Sequence, residues 1–291
     1  MIEYKAIQSL NQEKGYPIRG LCEILGVARS AYYKWINRVI PNKERKDRLL
    51  QKLIWVIHHD PEVDKTYGYR RINLVLKTMG FNHDDKTILR ITRSLGIHSV
   101  IRKKRKVYPS VNPDHVAENL LNRDFVSEAP NEKWCTDITE MKDHVGNKLY
   151  LSAVIDLYDL SIVSYRYSNR NNNQLVEETI RAAFAANPQA KPLIHSDRGS
   201  QYTSYMYHGL MEEYGFIQSM SRAGYCLDNQ PIERFFGLLK SEYYYRKKFN
   251  TTFHLEAGLN RFIDYYNKRR VTLKFNGLTP LMFRDQYKMA S

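Results

Sequence analysis

Hydrophobic positions change rhythm twice along this chain. Up to about residue 110 they recur at helical spacing. Between 132 and 247 they alternate or run in short apolar blocks broken by helical stretches, and beyond that helical spacing returns. In the first region Arg19 to Trp35 reads as two short helices around a turn at Gly26. Leu21, Ile24, Leu25, Val27, Tyr32 and Trp35 can share one core, while Arg29, Ser30, Tyr33 and Lys34 face outward. A helix-turn-helix offers the start of its second helix to a major groove in this way, and an ordinary helical hairpin carries the same pattern. Pro41 to Lys52 reads as a polar connector into a helix over Leu49 to His59. Tyr67 to Gly80 reads as a helix closed by its glycine, and Asn82 to Ser94 as another, with Asp84 and Asp85 in its first turn. Together these form a second helix-turn-helix-like unit. Val107 to Asp124 has two prolines and no period, as a linker does.

The middle region predicts three antiparallel strands over Lys133 to Met141, Lys148 to Tyr158 and Ser161 to Ser168, with a turn at 143–147. An amphipathic helix over Asn173 to Asn187 follows, then a strand over Pro192 to Ser196. A helix over Tyr202 to Tyr214, a strand over Ile217 to Met220 and a helix from Asn229 to about Lys247 complete the order βββαβαβα, a mixed α/β sheet. At the end, Phe262 to Arg270 is helical with a basic triplet, and Thr279 caps a short final helix beginning at Pro280.

Charge sharpens this division. The 291 residues carry a formal net charge of +14, which points to a polyanionic partner. Residues 1–110 hold 23 Lys and Arg against 10 Asp and Glu, whereas residues 123–240 hold 12 against 15. Basic arms therefore flank an acidic middle. Arg102, Lys103, Lys104, Arg105 and Lys106 are five consecutive cations beside helical modules, suited to tracking phosphates. Cys22, Cys135 and Cys226 are scattered, which excludes a zinc cluster and argues against a disulfide framework. No apolar run approaches the roughly 18 residues of a membrane span, and no signal peptide is visible, so an intracellular protein without membrane association is expected.

Three acids fall where a core should lie. Asp137 sits inside the first strand, Asp197 closes the fourth, and Glu233 lies in the opening turns of the last middle-region helix, with Asp228 or Asn229 as its N-cap. If the fourth strand pairs parallel with the first, Asp137 and Asp197 are neighbours at one end of the sheet. Clustered carboxylates are costly there unless a cation shares them. Three hard oxygen ligands favour Mg²⁺ or Mn²⁺, and two such ions suit an in-line displacement at a phosphodiester. Lys240, two turns after Glu233, faces the same way; a hand on a DNA phosphate and a plain surface lysine are both open to it. With the hairpin turning near residue 145, Asp137 lies opposite residue 153. Asp156 is then three residues off along the strand and structural, with Asp159 a turn residue. His195 shares the face of Asp197 and either orients a ligand or packs in the core.

The set Thr136-Asp137-Ile138-Thr139, His195-Ser196-Asp197-Arg198-Gly199 and Asp228-Asn229-Gln230-Pro231-Ile232-Glu233 resembles the DDE core of retroviral-integrase-like transposases. Thirty-five residues separate Asp197 from Glu233, as in the DD(35)E pattern, and Lys240 matches the trailing basic residue. The wording is close to the OrfB-type transposase of the IS-three insertion-sequence family, best over 123–285. Gln230 and Arg234 depart from it, standing where alanine and a small residue are common. The resemblance implies an α/β ribonuclease-H-like catalytic core, a mixed five-stranded sheet with helices on both faces. With it would come an all-α, helix-turn-helix-like N-terminal region and a small helical C-terminal segment. The boundaries expected are 1–60 and 61–106 for two helical DNA-binding units, 107–122 for a linker, 123–248 for the core and 249–291 for the tail. The resemblance further implies strand cleavage and transfer at insertion-sequence ends, with Asp137, Asp197 and Glu233 catalytic and metal-binding. DNA contacts would come from Lys240, Arg29, Tyr33, Lys34, Arg70, Arg71 and the run Arg102 to Lys106. Implied partners are the terminal inverted repeats, target DNA, an upstream OrfA product or fusion, and further copies of the chain on DNA, in the bacterial cytoplasm at the nucleoid. A DNA-binding repressor without catalysis and a nuclease that hydrolyses without joining are the competing readings.

Overall fold

The structure, a computed structural model, describes residues 2–39, 41–101, 118–222 and 226–290. The basic run Arg102 to Lys106 and residues 107–117 of the expected linker lie outside them. The chain divides into two compact units, residues 1–53 and 54–291.

The first unit holds α1 (Ile2–Lys14), α2 (Ile18–Ile24), α3 (Arg29–Ile36) and the beginning of α4 (Asn42–His59). Ile7, Leu21, Cys22 and Tyr32 form its buried centre, with Val27 and Trp35 packed against them. The expected core is thus partly corrected: Ile24 is 82% exposed and Leu25 also faces outward. Cys22 occupies the inward position instead, because α2 is only seven residues long and a single face of it meets α1 and α3. The connector expected before Leu49 is also helix. Its charges hid that, yet they stabilise it, since Arg48 and Glu44 pair across one turn at 2.9 Å.

In the second unit α5 (Tyr69–Thr78) ends as expected before Gly80, whose φ of +87° a residue with a side chain would adopt only under strain. Asp84 caps α6 (Asp85–Ser94) by accepting from the Thr87 N–H. The sheet follows: β1 (Lys133–Lys142), β2 (Lys148–Asp156), β3 (Ile162–Ser168), β4 (Leu193–Ser196) and β5 (Ile217–Met220), in the order β3-β2-β1-β4-β5. β1, β2 and β3 are antiparallel neighbours, and β4 joins β1 in parallel. The order of elements is the expected one. α7 (Asn173–Ala186) and α8 (Tyr205–Tyr214) carry the chain across to β4 and β5, and α9 (Gln230–Glu242), α10 (Thr252–Lys268) and α11 (Pro280–Ala290) follow.

Strand alternation sorts these helices onto two faces. Trp134, Val154 and Ile194 point into a core shared with Val176, Ile180 and Leu210 of α7 and α8. Cys135, Ala153 and Ile155 point the other way, against Phe235, Leu239, Leu259 and Ile263 of α9 and α10. Asp137 is two residues beyond Cys135, so it belongs to the α9 face.

α9 stops at Glu242, short of the expected Lys247. Tyr243 leaves the helical region (φ −131°, ψ −64°), and a 3-10 turn follows over Tyr244–Arg246. The stop places Glu242 where Arg270 reaches it with two bonds, Nε at 2.8 Å and Nη2 at 2.7 Å, and Arg71 adds a third contact at 3.1 Å. Glu242 is 6% and Arg270 2% exposed. Burial pushes the Glu242 carboxyl up, but the two guanidinium groups outweigh it and hold it below its ordinary range. Asp156 and Asp159 are both fully buried and share Arg284 of α11, which supports the structural reading of Asp156. Removing one partner of a buried pair strands the other charge. Glu242→Ala is therefore expected to lower unfolding stability by roughly 3–5 kcal/mol, with a smaller loss for Glu242→Gln, measured by urea denaturation.

Candidate active site

Three elements bring the acids together. The hairpin register sets Asp137 opposite Ala153, as expected from the turn position. The parallel ladder pairs Lys133 with Leu193, Trp134 with Ile194 and Cys135 with His195. Continued by two residues, it sets Asp197 beside Asp137. α9 is tied to the same place, because Asn229 just before it donates from Nδ2 to the Thr136 carbonyl at 3.1 Å. Glu233 then stands in the helix's first turn, exposed, one turn beyond that anchor.

Asp137 and Asp197 are half-buried. Each is steadied by one backbone donor: Ile138 N–H to Asp137 Oδ1 at 2.7 Å and Gly199 N–H to Asp197 Oδ1 at 2.9 Å. A methyl group at residue 199 would sit 3.1 Å from Asp197 Oδ1 and from Gln201 Oε1, so glycine leaves the carboxylate its room. Burial, then Asp197 and more weakly Glu233, push the Asp137 carboxyl up to about 8; the Ile138 N–H and Lys240 oppose this. Burial also raises Asp197. The Lys240 ammonium is lowered by burial, with Asp137 and Glu140 pulling the other way, so it lies within the field of those two carboxylates.

Among the described residues no three ligand-type side chains already converge around one point. The chemistry of the donor set nonetheless fits a hard divalent cation. Two half-buried carboxylates stand side by side with a third in electrostatic reach, and their repulsion is what a cation between them would relieve.

Other expected residues are placed as follows. His195 is a core histidine: fully buried, with Ser219 Oγ at 2.9 Å from Nδ1 and Ser221 Oγ at 3.1 Å from Nε2, and held neutral by burial, which lowers it to about 4. Arg29, Tyr33 and Lys34 are exposed on α3, and Arg70 is exposed over the Tyr69 ring. Arg71 is turned to Glu242, with its guanidinium over the Tyr67 ring. Asp228 is not the N-cap of α9. Fully buried, it accepts from Arg123 Nε at 2.6 Å, from Asn119 Nδ2 at 2.9 Å and from the Arg222 backbone and side chain. Burial raises Asp228, but these donors overcome that and hold it far below the carboxylate range. Sequence reasoning missed this anchor, since its partners stand 105 and 6 residues away; the only signal was an acid beside the expected start of the helix.

The site and sheet define an integrase-type α/β core. A model described as "Integrase core domain" matches residues 127–226 and a second of the same description matches 233–287, while an "HTH-like domain" matches 44–105, over α4 to α6. Over 94% of this chain and 95% of the relative, the sequence is 39% identical to InsK of insertion sequence element IS150 from Escherichia coli (strain K12). It is 30% identical to transposase InsF for insertion sequence IS3A of the same organism, over 93% of this chain and 95% of the relative. The chain belongs to the IS-three family of insertion-sequence transposases. Among solved structures, the HTLV-2 integrase catalytic core domain in complex with magnesium aligns with 54% of this chain and 97% of its own, at TM-score 0.42 and 18% identity. A chain in the structure of a simian T-cell lymphotropic virus intasome in complex with PP2A regulatory subunit B56 gamma aligns with 81% of this chain and 74% of its own, at TM-score 0.46 and 17% identity.

The raised Asp137 sets a sign for stability. Its folded value of about 8 lies above the roughly 3.9 of an unfolded aspartate. The native state thus keeps a proton that the unfolded chain releases, and stability falls as pH rises from about 4 to about 8. Asp137→Asn is expected to unfold later than the parent at pH 8, by about 1–3 kcal/mol because water reaches the half-buried site, and to match it near pH 4. Added Mg²⁺ should raise the urea midpoint of the parent and leave the variant unmoved.

Proposed function

We propose that this chain cuts and joins DNA at the ends of an insertion sequence and integrates that element into target DNA. The observation that carries the reading is the Asp137 carboxyl, pushed up by burial, by Asp197 and more weakly by Glu233 at the end of two parallel strands, a cost that a shared cation would relieve. One or two divalent cations, Mg²⁺ or Mn²⁺, held by the three carboxylates would supply Lewis acidity and charge neutralisation at a phosphodiester. Asp137 on β1 and Asp197 just past the end of β4 fix the spacing of the donors. Glu233 enters from α9, whose anchor on Thr136 sets its height. Lys240, further along α9, offers its ammonium to a phosphate of the DNA end. No residue needs to form a covalent bond to DNA, because a water or a DNA 3′-hydroxyl serves as nucleophile and the departing 3′-oxygen leaves in line.

DNA is the partner in this reading. Arg29, Tyr33 and Lys34 on α3, Arg70 on α5 and the run Arg102 to Lys106 grip it, and the division into helical arms, core and tail separates gripping from chemistry. Several copies act on one pair of ends, with an upstream reading-frame product contributing further contacts. The test is a joining assay on DNA carrying the element's own terminal repeats with Mg²⁺ or Mn²⁺. Asp137→Ala, Asp197→Ala and Glu233→Ala should each abolish joined product while leaving DNA binding largely intact. Full joining by any of the three would sink the assignment.

A further inference from the structure

Beside the N-terminal half of α9 opens a cavity of about 280 Å³, close to the lower size of small-ligand sites, on the order of 300 Å³. Leu157, Leu160 and Tyr266 give it an apolar floor, and Leu273 stands at its side. Four cations reach it. Arg71 and Arg270 are committed to Glu242. Arg234 and Lys274 are not: neither makes a hydrogen bond or ion pair among the described residues, and the Lys274 ammonium rests 5.3 Å from the centre of the Phe275 ring. Burial and the Arg234 charge both lower the Lys274 ammonium; Asp159 opposes, but its carboxylate is already paired with Arg284. The cavity therefore joins two like charges lacking a counter-charge to a greasy floor.

A lone inorganic anion would use the charges and waste the floor, and a hydrophobic ligand would do the reverse. A nucleotide uses both, since every base has an apolar face and every phosphate a charge. Arg234 directly follows Glu233 on α9, so the cavity is lined from the same helical turn that carries the third acid. Gln230 and Arg234 both line it. We propose that the cavity holds one unpaired nucleotide of the DNA end, with its phosphate between Arg234 and Lys274 and its base on Leu157, Leu160 and Tyr266. This rests on the reading of Asp137, Asp197 and Glu233 as the joining site, and it adds a preference for ends whose terminal bases are unpaired.

Fluorescence anisotropy tests it with terminal-repeat duplexes that are blunt or carry a short single-stranded overhang. The parent protein should bind the overhang form more tightly, and 2-aminopurine in the overhang should change its emission on binding. Arg234→Ala combined with Lys274→Ala should erase both effects and reduce the salt slope on overhang DNA by about 0.7, the share of one phosphate on a single strand, with blunt binding unchanged. If blunt binding also falls, the single variant Arg234→Gln is measured instead and must show the same selective loss. Equal affinity of the parent for both ends, or a double variant that keeps the preference, overturns the proposal. Competition by a free nucleoside monophosphate against overhang binding supports it; tight monophosphate binding without any overhang preference overturns the assignment to DNA. The assay needs no chemistry. A parent that never joins ends yet keeps the overhang preference defeats the catalytic reading and leaves the cavity's role standing.

Discussion

Everything at the acid end of this sheet depends on the parallel pairing of β1 with β4. It is a short contact, three residue pairs long, yet it fixes which residues of two distant segments stand abreast. Parallel strands cannot be joined by a tight turn, so the crossover through α7 is obligatory, and its packing on Val154 and Trp134 holds the pairing closed. A slip by one residue would turn Asp197 away from the α9 face and move His195 out of its serine cradle. The buried hydrogen bonds of His195 to Ser219 and Ser221 thus act as a register lock two residues upstream of the acid.

The third acid comes from outside the sheet and needs its own anchorage. α9 is held at its start by Asn229 on Thr136 and by the Asp228 cluster with Arg123, Arg222 and Asn119. It is held at its end by Glu242 with Arg270 and Arg71. Between the two, Ile232, Phe235, Phe236 and Leu239 bury its inner face. Placement of Glu233 therefore draws on polar anchors at both ends of a greasy helix.

Much of this was legible from the chain because it rests on local rules. The period of two gave the strands, the turn at 143–147 gave the register opposite Ala153, and the acid at the end of an apolar block gave Asp197. What escaped was set by partners remote in sequence. Nothing near Glu242 announces Arg270, 28 residues on, and nothing near Arg71 announces the same carboxylate, 171 residues away. Short helices misled in another way: the seven residues of α2 bury only Leu21 and Cys22, leaving apolar Ile24 and the C-cap Leu25 outside, and periodicity alone could not choose among them. The helix over residues 42–48 was hidden by charge, since its stability comes from pairs on its surface rather than from a buried stripe.

α9 also has a mechanical meaning. Glu233 and Glu242 are nine residues apart on one unbroken helix, about 13 Å along its axis. The far end is gripped by Arg71, which belongs to α5 within the stretch that matches the HTH-like domain. A helix of this length behaves as a stiff rod. One stretch of helical backbone thus sets both the carboxylate near its start and the Arg71 contact at its end, at a fixed separation.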